Sequence, residues 1–270
     1  LNIHDTRKMD VVDGKVGYCG GCNVADQYAG STKKFGYWRD THLRIQGPEA
    51  ALLQRRSLID WNVSCPEKNR VAYQLDYFFK LEAFVPEANT SIQMIASGPN
   101  SDCEQIKLAF IKLITSAKKR VWIQTPYLVP DDSVLAALKV AAASGVDVKI
   151  MIPDKPDHPF IYRATQYYGR LLMKENIEIL IYNGGFLHAK TMIMDDEVCT
   201  VGSANQDIRS YKLNFEANAV LYDKKIIDQL EAIFLEDRKK CTTMTPEVVR
   251  DMSKWLIFKQ QISRLFSPIL

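Results

Sequence analysis

The sequence predicts an α/β protein made of two similar units around a shared site. Two observations carry this. From about Ser91 to Tyr182, strand-like and helix-like stretches alternate, the pattern of sheets with helices on both faces. In addition, one polar pattern occurs twice. The stretch FLHAKTMIMDDEVCTVGSANQD, residues 186–207, holds Lys190, Asp195, Gly202 and Asn205 in order. Near the N-terminus, TRKMDVVDGKVGYCGGCNVAD places Lys8, Asp13, Gly20 and Asn23 at the same spacings, with Gly21 where Ser203 stands. Agreement at all these positions implies an internal repeat.

Taken along the chain, the first copy reads as a hairpin, and Tyr37 to Ile45 as a strand. Gly47-Pro48-Glu49 opens a helix to about Trp61. Ser64 to Thr90 is irregular, with Pro66 and Pro86, and reads as the connection; the units are assigned to residues 1–85 and 86–270. In the second unit, Ser101 to Lys118 is a helix. Ser101 and Asp102 can cap it, and Ile106, Phe110, Leu113 and Ala117 share a face. Arg120 to Gln124 is a strand, and Asp131 to Ser144 a helix closed by Gly145. Val146 to Ile152 is a strand, Ile161 to Lys174 a helix and Ile177 to Tyr182 a strand. His188 to Met194 and Val198 to Val201 are strands joined by the turn Asp195-Asp196-Glu197. In the C-terminal KWLIFKQQISRLF, Trp255, Phe258, Ile262, Leu265 and Phe266 recur at helical spacing, flanked by Lys254, Lys259 and Arg264. Such a basic amphipathic helix either lies on an anionic membrane or packs its stripe on the core.

The repeat also carries chemistry. In a strand, His188 and Lys190 project to the same face. The hairpin brings them near Ser203 and Asn205. A titratable imidazole, a cation and two neutral donors suit an anion with several oxygens, such as a phosphate. The alternative is an exposed hairpin with solvated polar residues. Two histidines on opposite sides of one phosphorus would serve as nucleophile and general acid. However, the position matching His188 in the first copy is Thr6. His4 lies two residues earlier, roughly 6.6 Å further along a strand, too far to substitute without a shift of register.

The pattern His-x-Lys-x4-Asp-x6-Gly-Ser-x-Asn resembles the phospholipase D superfamily. The flanking stretches KKFGYWRDTHLRIQGPEA, QTPYLVPDDSVLAALKVAAASGVDVKIMIPDKPDH, NFEANAVLYD and SRLFSPIL resemble the bacterial cardiolipin synthases, over essentially the whole chain. The resemblance implies a phospholipase D-like fold and phosphatidyl transfer between two phosphatidylglycerol molecules, giving cardiolipin and glycerol through a phosphatidyl-histidine. It implies no metal or organic cofactor. It assigns His188, Lys190, Asp195, Lys8 and Asp13 to catalysis. Ser203, Asn205 and Asn23 would line the phosphate pocket, and Glu216 and Asp40 would orient the histidines. The loop TPYLVP, residues 125–130, would border the pocket, though a plain proline-bounded loop reads the same way. The implied partners are phosphatidylglycerol and anionic membrane lipid, with the full-length protein at the cell membrane. Thr6 departs from the pattern, because a threonine hydroxyl cannot replace imidazole at pH 7. The first copy also starts after five residues, whereas the second follows a full α/β run. The expectation is therefore a first unit truncated at its N-terminus. Three functional expectations stand: a transferase, a lipid-phosphate-binding remnant without turnover, and a nuclease or other phosphodiesterase of the same superfamily.

Composition narrows the choice. At 270 residues and 47% hydrophobic, the chain can bury one large or two moderate cores. A net charge of +3 disfavours a superfamily nuclease, since nucleic-acid binding usually needs a strongly basic surface. No apolar run of membrane-spanning length is present. The six cysteines are scattered. Cys19-Gly-Gly-Cys22 stands without a second pair or histidines at ligand spacing, so it reads as reduced thiols and not as a zinc site.

Overall fold

Runs of Val, Ile, Leu and Met dominate the strands of the second unit, and a strand apolar at successive positions must be covered on both faces. The computed structural model has this arrangement; it describes residues 3–30, 36–72 and 90–267. The first unit contains β1 (Met9–Val12), β2 (Val16–Gly20), β3 (Trp38–Arg39), β4 (His42–Gln46) and α1 (Pro48–Ser64). The second begins with β5 (Ile92–Ser97), α2 (Gln105–Ser116), β6 (Arg120–Gln124), β7 (Leu128–Val129) and α3 (Asp132–Ala143). It continues with β8 (Asp147–Pro153), α4 (Pro159–Met173), β9 (Glu178–Tyr182), β10 (Phe186–Leu187), β11 (Thr191–Met194) and β12 (Val198–Gly202). Then follow β13 (Gln206–Asp207), α5 (Ile208–Lys212), β14 (Glu216–Leu221), α6 (Lys224–Arg238), β15 (Cys241–Thr243), α7 (Pro246–Arg250) and α8 (Lys254–Leu265).

The main sheet has the order β15-β9-β8-β6-β11-β12-β14-β5. Strands β6, β8 and β9 are parallel, and the remaining pairs are antiparallel. One face packs on α2, α3 and α4 through residues such as Phe110, Leu138 and Leu172. The other packs on α6 through Ile227, Leu230 and Phe234, which meet Trp122 and Tyr182. Each such buried side chain contributes about 1.5–3 kcal/mol.

The repeat is structural as well as sequential. In β1–β2, Met9 lies opposite Cys19 and Val12 opposite Val16. In β11–β12, Thr191 lies opposite Val201 and Met194 opposite Val198, the same register. The hairpins continue alike, with Gly20 opposite His42 and Gly202 opposite Asn218. Thus β1-β2-β4 followed by α1 repeats β11-β12-β14 followed by α6. Among the described residues β1 has no strand on its outer side, where β11 has β6.

Three expectations change. The strand expected over Tyr37 to Ile45 is two strands in different sheets, broken at Asp40, whose carboxylate accepts the Thr41 N–H at 2.7 Å. The strand expected over His188 to Met194 is likewise broken. β10 pairs with β3, β11 pairs with β6 and β12, and residues 188–190 form the corner between them. Helix α2 starts later than expected. Its cap comes from Ser97 at the end of β5, which accepts the Ile106 N–H at 2.8 Å, while Ser101 bonds Cys103 and Gln105. The proposed unit boundary at residues 85–86 lies outside the described residues.

Asp195 sits at the β11–β12 turn with φ 51. Its carboxylate accepts the N–H groups of Lys118, Lys119 and Arg120 at 2.8–2.9 Å, closing the start of β6 onto the hairpin. Burial opposes its ionisation, but these backbone donors outweigh that and hold the carboxyl below the ordinary range. Asp195→Ala orphans three donors and is expected to cost about 1–3 kcal/mol in urea unfolding at pH 7. Because the folded pKa is depressed, the parent's advantage is whole above the ordinary carboxylate pKa. It is expected to shrink as pH falls through the lowered value.

Candidate active site

The corner at residues 188–190 meets Arg39 and Asp40 from the N-terminal side of the chain, as Asp5 and Thr6 meet Phe215. The His188 N–H donates to the Arg39 carbonyl at 2.8 Å, and the Thr6 N–H to the Phe215 carbonyl at 3.0 Å. Beside these bonds, β10 runs parallel to β3, and Asp5 bridges Phe215 in the same sense. Lys190 Nζ donates to the His188 carbonyl and Lys8 Nζ to the Thr6 carbonyl, each at 2.5 Å. The Ala204 N–H finds Asn218 Oδ1 at 3.1 Å, and the Cys22 N–H finds His42 Nδ1 at 3.3 Å. The two motifs therefore face each other about a local two-fold.

Across that axis each unit offers a carboxylate to the other. His188 Nδ1 lies 2.7 Å from Asp40 Oδ2. The Tyr28 hydroxyl reaches the same nitrogen at 3.1 Å, with its ring edge-on to the imidazole. An N–H at Nδ1 bonded to Asp40 leaves Nε2 with its lone pair. In the mirrored place Glu216, fully buried, takes the Ser203 hydroxyl at 2.5 Å and lies within hydrogen-bond reach of Thr6. The Thr6 hydroxyl itself donates to the Phe215 carbonyl at 2.9 Å. Asp40 is held in turn by its neighbour. Arg39, buried, pairs with buried Asp237 of α6 at 2.8 Å and also donates to the Asp40 carbonyl.

A cavity of 480 Å³ opens on this arrangement. His188, Lys190, Ser203, Asn205, Lys8 and Glu216 all line it. So does Thr6. His4 lines it too, although it stands two residues upstream and is exposed. Tyr127 is also on the cavity wall; sequence reasoning missed His158, Asp207, Arg209 and Asn214 there, and Tyr28 behind His188. Tyr127 belongs to the singled-out TPYLVP loop, and its hydroxyl donates to Asp157 next to His158. Asn214 adjoins Glu216 in NFEAN. Tyr28 had no signal, because nothing in its surroundings is periodic.

Three assigned residues stand elsewhere. Asp195 is at the far end of β11, bound to backbone, and has no place in the cavity. Asp13 occupies the equivalent turn with φ 53 and is exposed; no equivalent of Lys118–Arg120 lies against it among the described residues. Both aspartates turn hairpins. Asn23 is exposed and, among the described residues, reaches the site through its amide bond to the Tyr28 hydroxyl at 3.0 Å. Asn205 lines the cavity, but it spends one amide hydrogen on Asp207 at 3.1 Å.

Burial controls the protonation states. Desolvation and the neighbouring Lys190 push the His188 imidazole down to about 4, against the pull of Asp40. Burial lowers Lys190 to about 7 and lowers Lys8 as well. It raises the carboxyls of Glu216 and Asp207. At neutral pH the cavity thus offers a neutral imidazole with a free nitrogen beside two lysines. An anionic ligand would favour the charged form of those lysines. Among the described residues no cluster of His, Cys, Asp and Glu could hold a metal ion.

Residues 110–238 match the family described as cardiolipin synthase, PLD-like domain. The chain is 49% identical over 270 residues to a cardiolipin synthase of Listeria innocua, covering 55% of it. It is 47% identical over 270 residues to one of Oceanobacillus iheyensis, again covering 55%. The chain spans about half the length of the curated relatives it matches. A phosphatidylserine synthase of Haemophilus influenzae superposes with a TM-score of 0.73 at 14% identity, over 98% of this chain and 71% of that one. Nuc, a phospholipase D family member from Salmonella typhimurium, superposes at 0.50 and 20% identity, over 58% of this chain and 99% of that one.

In an NMR pH titration, with His188→Gln for assignment, His188 is expected to titrate at about 4 and not at the ordinary 6.5. Asp40→Asn removes the carboxylate that raises this value, so the midpoint is expected to fall further. A midpoint near 6.5 in the parent would contradict a desolvated imidazole.

Proposed function

We propose, from the premise that the chain belongs to the phospholipase D superfamily with the bacterial cardiolipin synthases as its relatives, that its cavity transfers a phosphatidyl group between phosphatidylglycerol molecules. The observation that carries this reading is the Asp40–His188 pair, which leaves a neutral imidazole nitrogen facing a cavity with two lysines. In the proposed reaction His188 Nε2 attacks phosphorus, the bond to the glycerol oxygen breaks, and a phosphatidyl-histidine forms. The departing oxygen takes a proton and leaves as glycerol. The hydroxyl of a second phosphatidylglycerol then gives up its proton and attacks the same phosphorus, forming cardiolipin and restoring His188. Asp40 holds the ring and stabilises positive charge on it during attack. Lys8, Lys190 and the amide of Asn205 meet the phosphoryl oxygens as negative charge builds up.

Proton transfer is the step that Thr6 alters. Its hydroxyl donates to the Phe215 carbonyl, and an aliphatic hydroxyl is too weak an acid to protonate the leaving oxygen at neutral pH. The other imidazoles on the cavity wall are His4 and His158. Thr6 also favours a second reading, a pocket that holds lipid phosphate without turnover.

An assay with phosphatidylglycerol in mixed micelles separates the two. If the transfer reading holds, the parent forms cardiolipin and glycerol, and His188→Gln lowers the rate by about 10²–10⁴-fold. Acid-labile, alkali-stable lipid phosphate is then expected on the parent and not on the variant. Absence of product from folded parent, with phosphatidylglycerol bound, would establish the second reading. Thr6→His, which restores an imidazole opposite Glu216, is expected to raise turnover under either reading.

A further inference from the structure

Helix α8 packs with its polarity reversed. Gln260, Ser263 and Ser267 are 0%, 1% and 3% exposed. Gln260 Nε2 donates to Gln166 of α4 at 2.9 Å, and the hydroxyls of Tyr168 and Ser267 meet at 3.3 Å. The apolar stripe faces outward: Trp255 is 62% exposed, Phe258 48%, Leu265 73% and Phe266 45%. A helix at the surface of a globular domain normally does the opposite. The stripe that could have packed on the core therefore does not.

Charge and position indicate what the stripe fits. Helices α4 and α8 together carry Arg163, Arg170, Lys254, Lys259 and Arg264, with no Asp or Glu. Lys259 Nζ stands 5.0 Å over the Trp255 ring, and the Arg264 guanidinium 5.2 Å over Tyr167, so cations rim the aromatic surface. The patch is also continuous with the candidate active site. Phe266 meets Phe160 edge-to-face at 6.4 Å. Phe160 is exposed in the first turn of α4, whose N-cap His158 lines the cavity.

We propose that α8 and the first turn of α4 dock into the interface of an anionic lipid bilayer. The aromatic and aliphatic side chains enter the boundary between headgroups and acyl chains, and Lys254, Lys259 and Arg264 meet lipid phosphates. The cavity mouth then opens at headgroup level. Among the described residues no helix is long and apolar enough to cross a membrane, so this contact lies on the surface. The docking inference rests on the lipid-phosphate reading of the cavity.

The test is co-sedimentation of the purified chain with phosphatidylcholine vesicles and with mixed phosphatidylcholine–phosphatidylglycerol vesicles, alongside a cardiolipin assay. The parent is expected to bind the anionic vesicles and to be released by high salt. Phe258→Ser with Leu265→Ser, and separately Lys254→Gln with Lys259→Gln, are expected to weaken binding about tenfold or more. All four side chains are solvent-facing or rim the patch, and circular dichroism checks that each variant is folded. Equal binding by parent and variants, or no binding by the parent, overturns the proposal. So does a parent that self-associates in sedimentation while Phe258→Ser with Leu265→Ser is monomeric, which would assign the patch to a second copy. His188→Gln is expected to bind vesicles like the parent. Vesicle binding without cardiolipin formation would uphold docking and remove the transfer reading. Cardiolipin formation from micelles without vesicle binding would do the reverse.

Discussion

The hydrogen bond between Asp40 of the first unit and His188 of the second is the constraint around which the site is arranged. The carboxylate that bonds the His188 ring lies far away in sequence, on the N-terminal side of the chain. This explains why so much structure converges on Asp40. Parallel pairing of β3 with β10 sets the register, and the His188 N–H to the Arg39 carbonyl fixes its end. The Arg39–Asp237 pair then ties the acidic corner to α6. A buried ion pair is a weak source of net stability, since desolvation offsets much of the attraction. Its geometry is specific, however, and here it fixes the position of the carboxylate that faces the imidazole.

The same geometry makes Thr6 informative. The local two-fold puts Glu216 opposite Thr6 as it puts Asp40 opposite His188. The first pair lacks an imidazole, and Glu216 is bonded to Ser203 instead. Burial raises its carboxyl, while two lysines and a neutral histidine share the cavity. One side of the site therefore presents a neutral imidazole bonded to a carboxylate, and the other a buried carboxyl bonded to Ser203. Thr6 in place of an imidazole and Gly21 in place of Ser203 make the two sides unequal, while their backbone bonds match closely.

Much of this was legible in the sequence because the repeat reports spacing, and spacing in a hairpin is geometry. Lys8, Lys190, Ser203 and Asn205 line one cavity. The acids Asp40 and Glu216, named through family resemblance, proved to cross between units. Two kinds of inference failed. Asp13 and Asp195 share the motif but turn hairpins, because conserved spacing between the copies records backbone geometry as readily as chemistry. Continuous strands were expected where the chain leaves one sheet for another. A two-residue break leaves almost no trace in hydrophobic periodicity.

The sequence by itself determined the α/β class, the two-fold repeat and the polar set of each motif. Local spacing and the period of apolar residues suffice for these. Only the tertiary structure decided which acid faces which imidazole, and that Tyr28 and His158 join the site from distant segments. It also decided which face of α8 meets α4. Those outcomes depend on how separate elements dock, and docking is set by shape and by the partners available to buried polar groups. The α8 stripe has the periodicity of a core helix, yet nothing in that period says whether the core or a bilayer lies beside it.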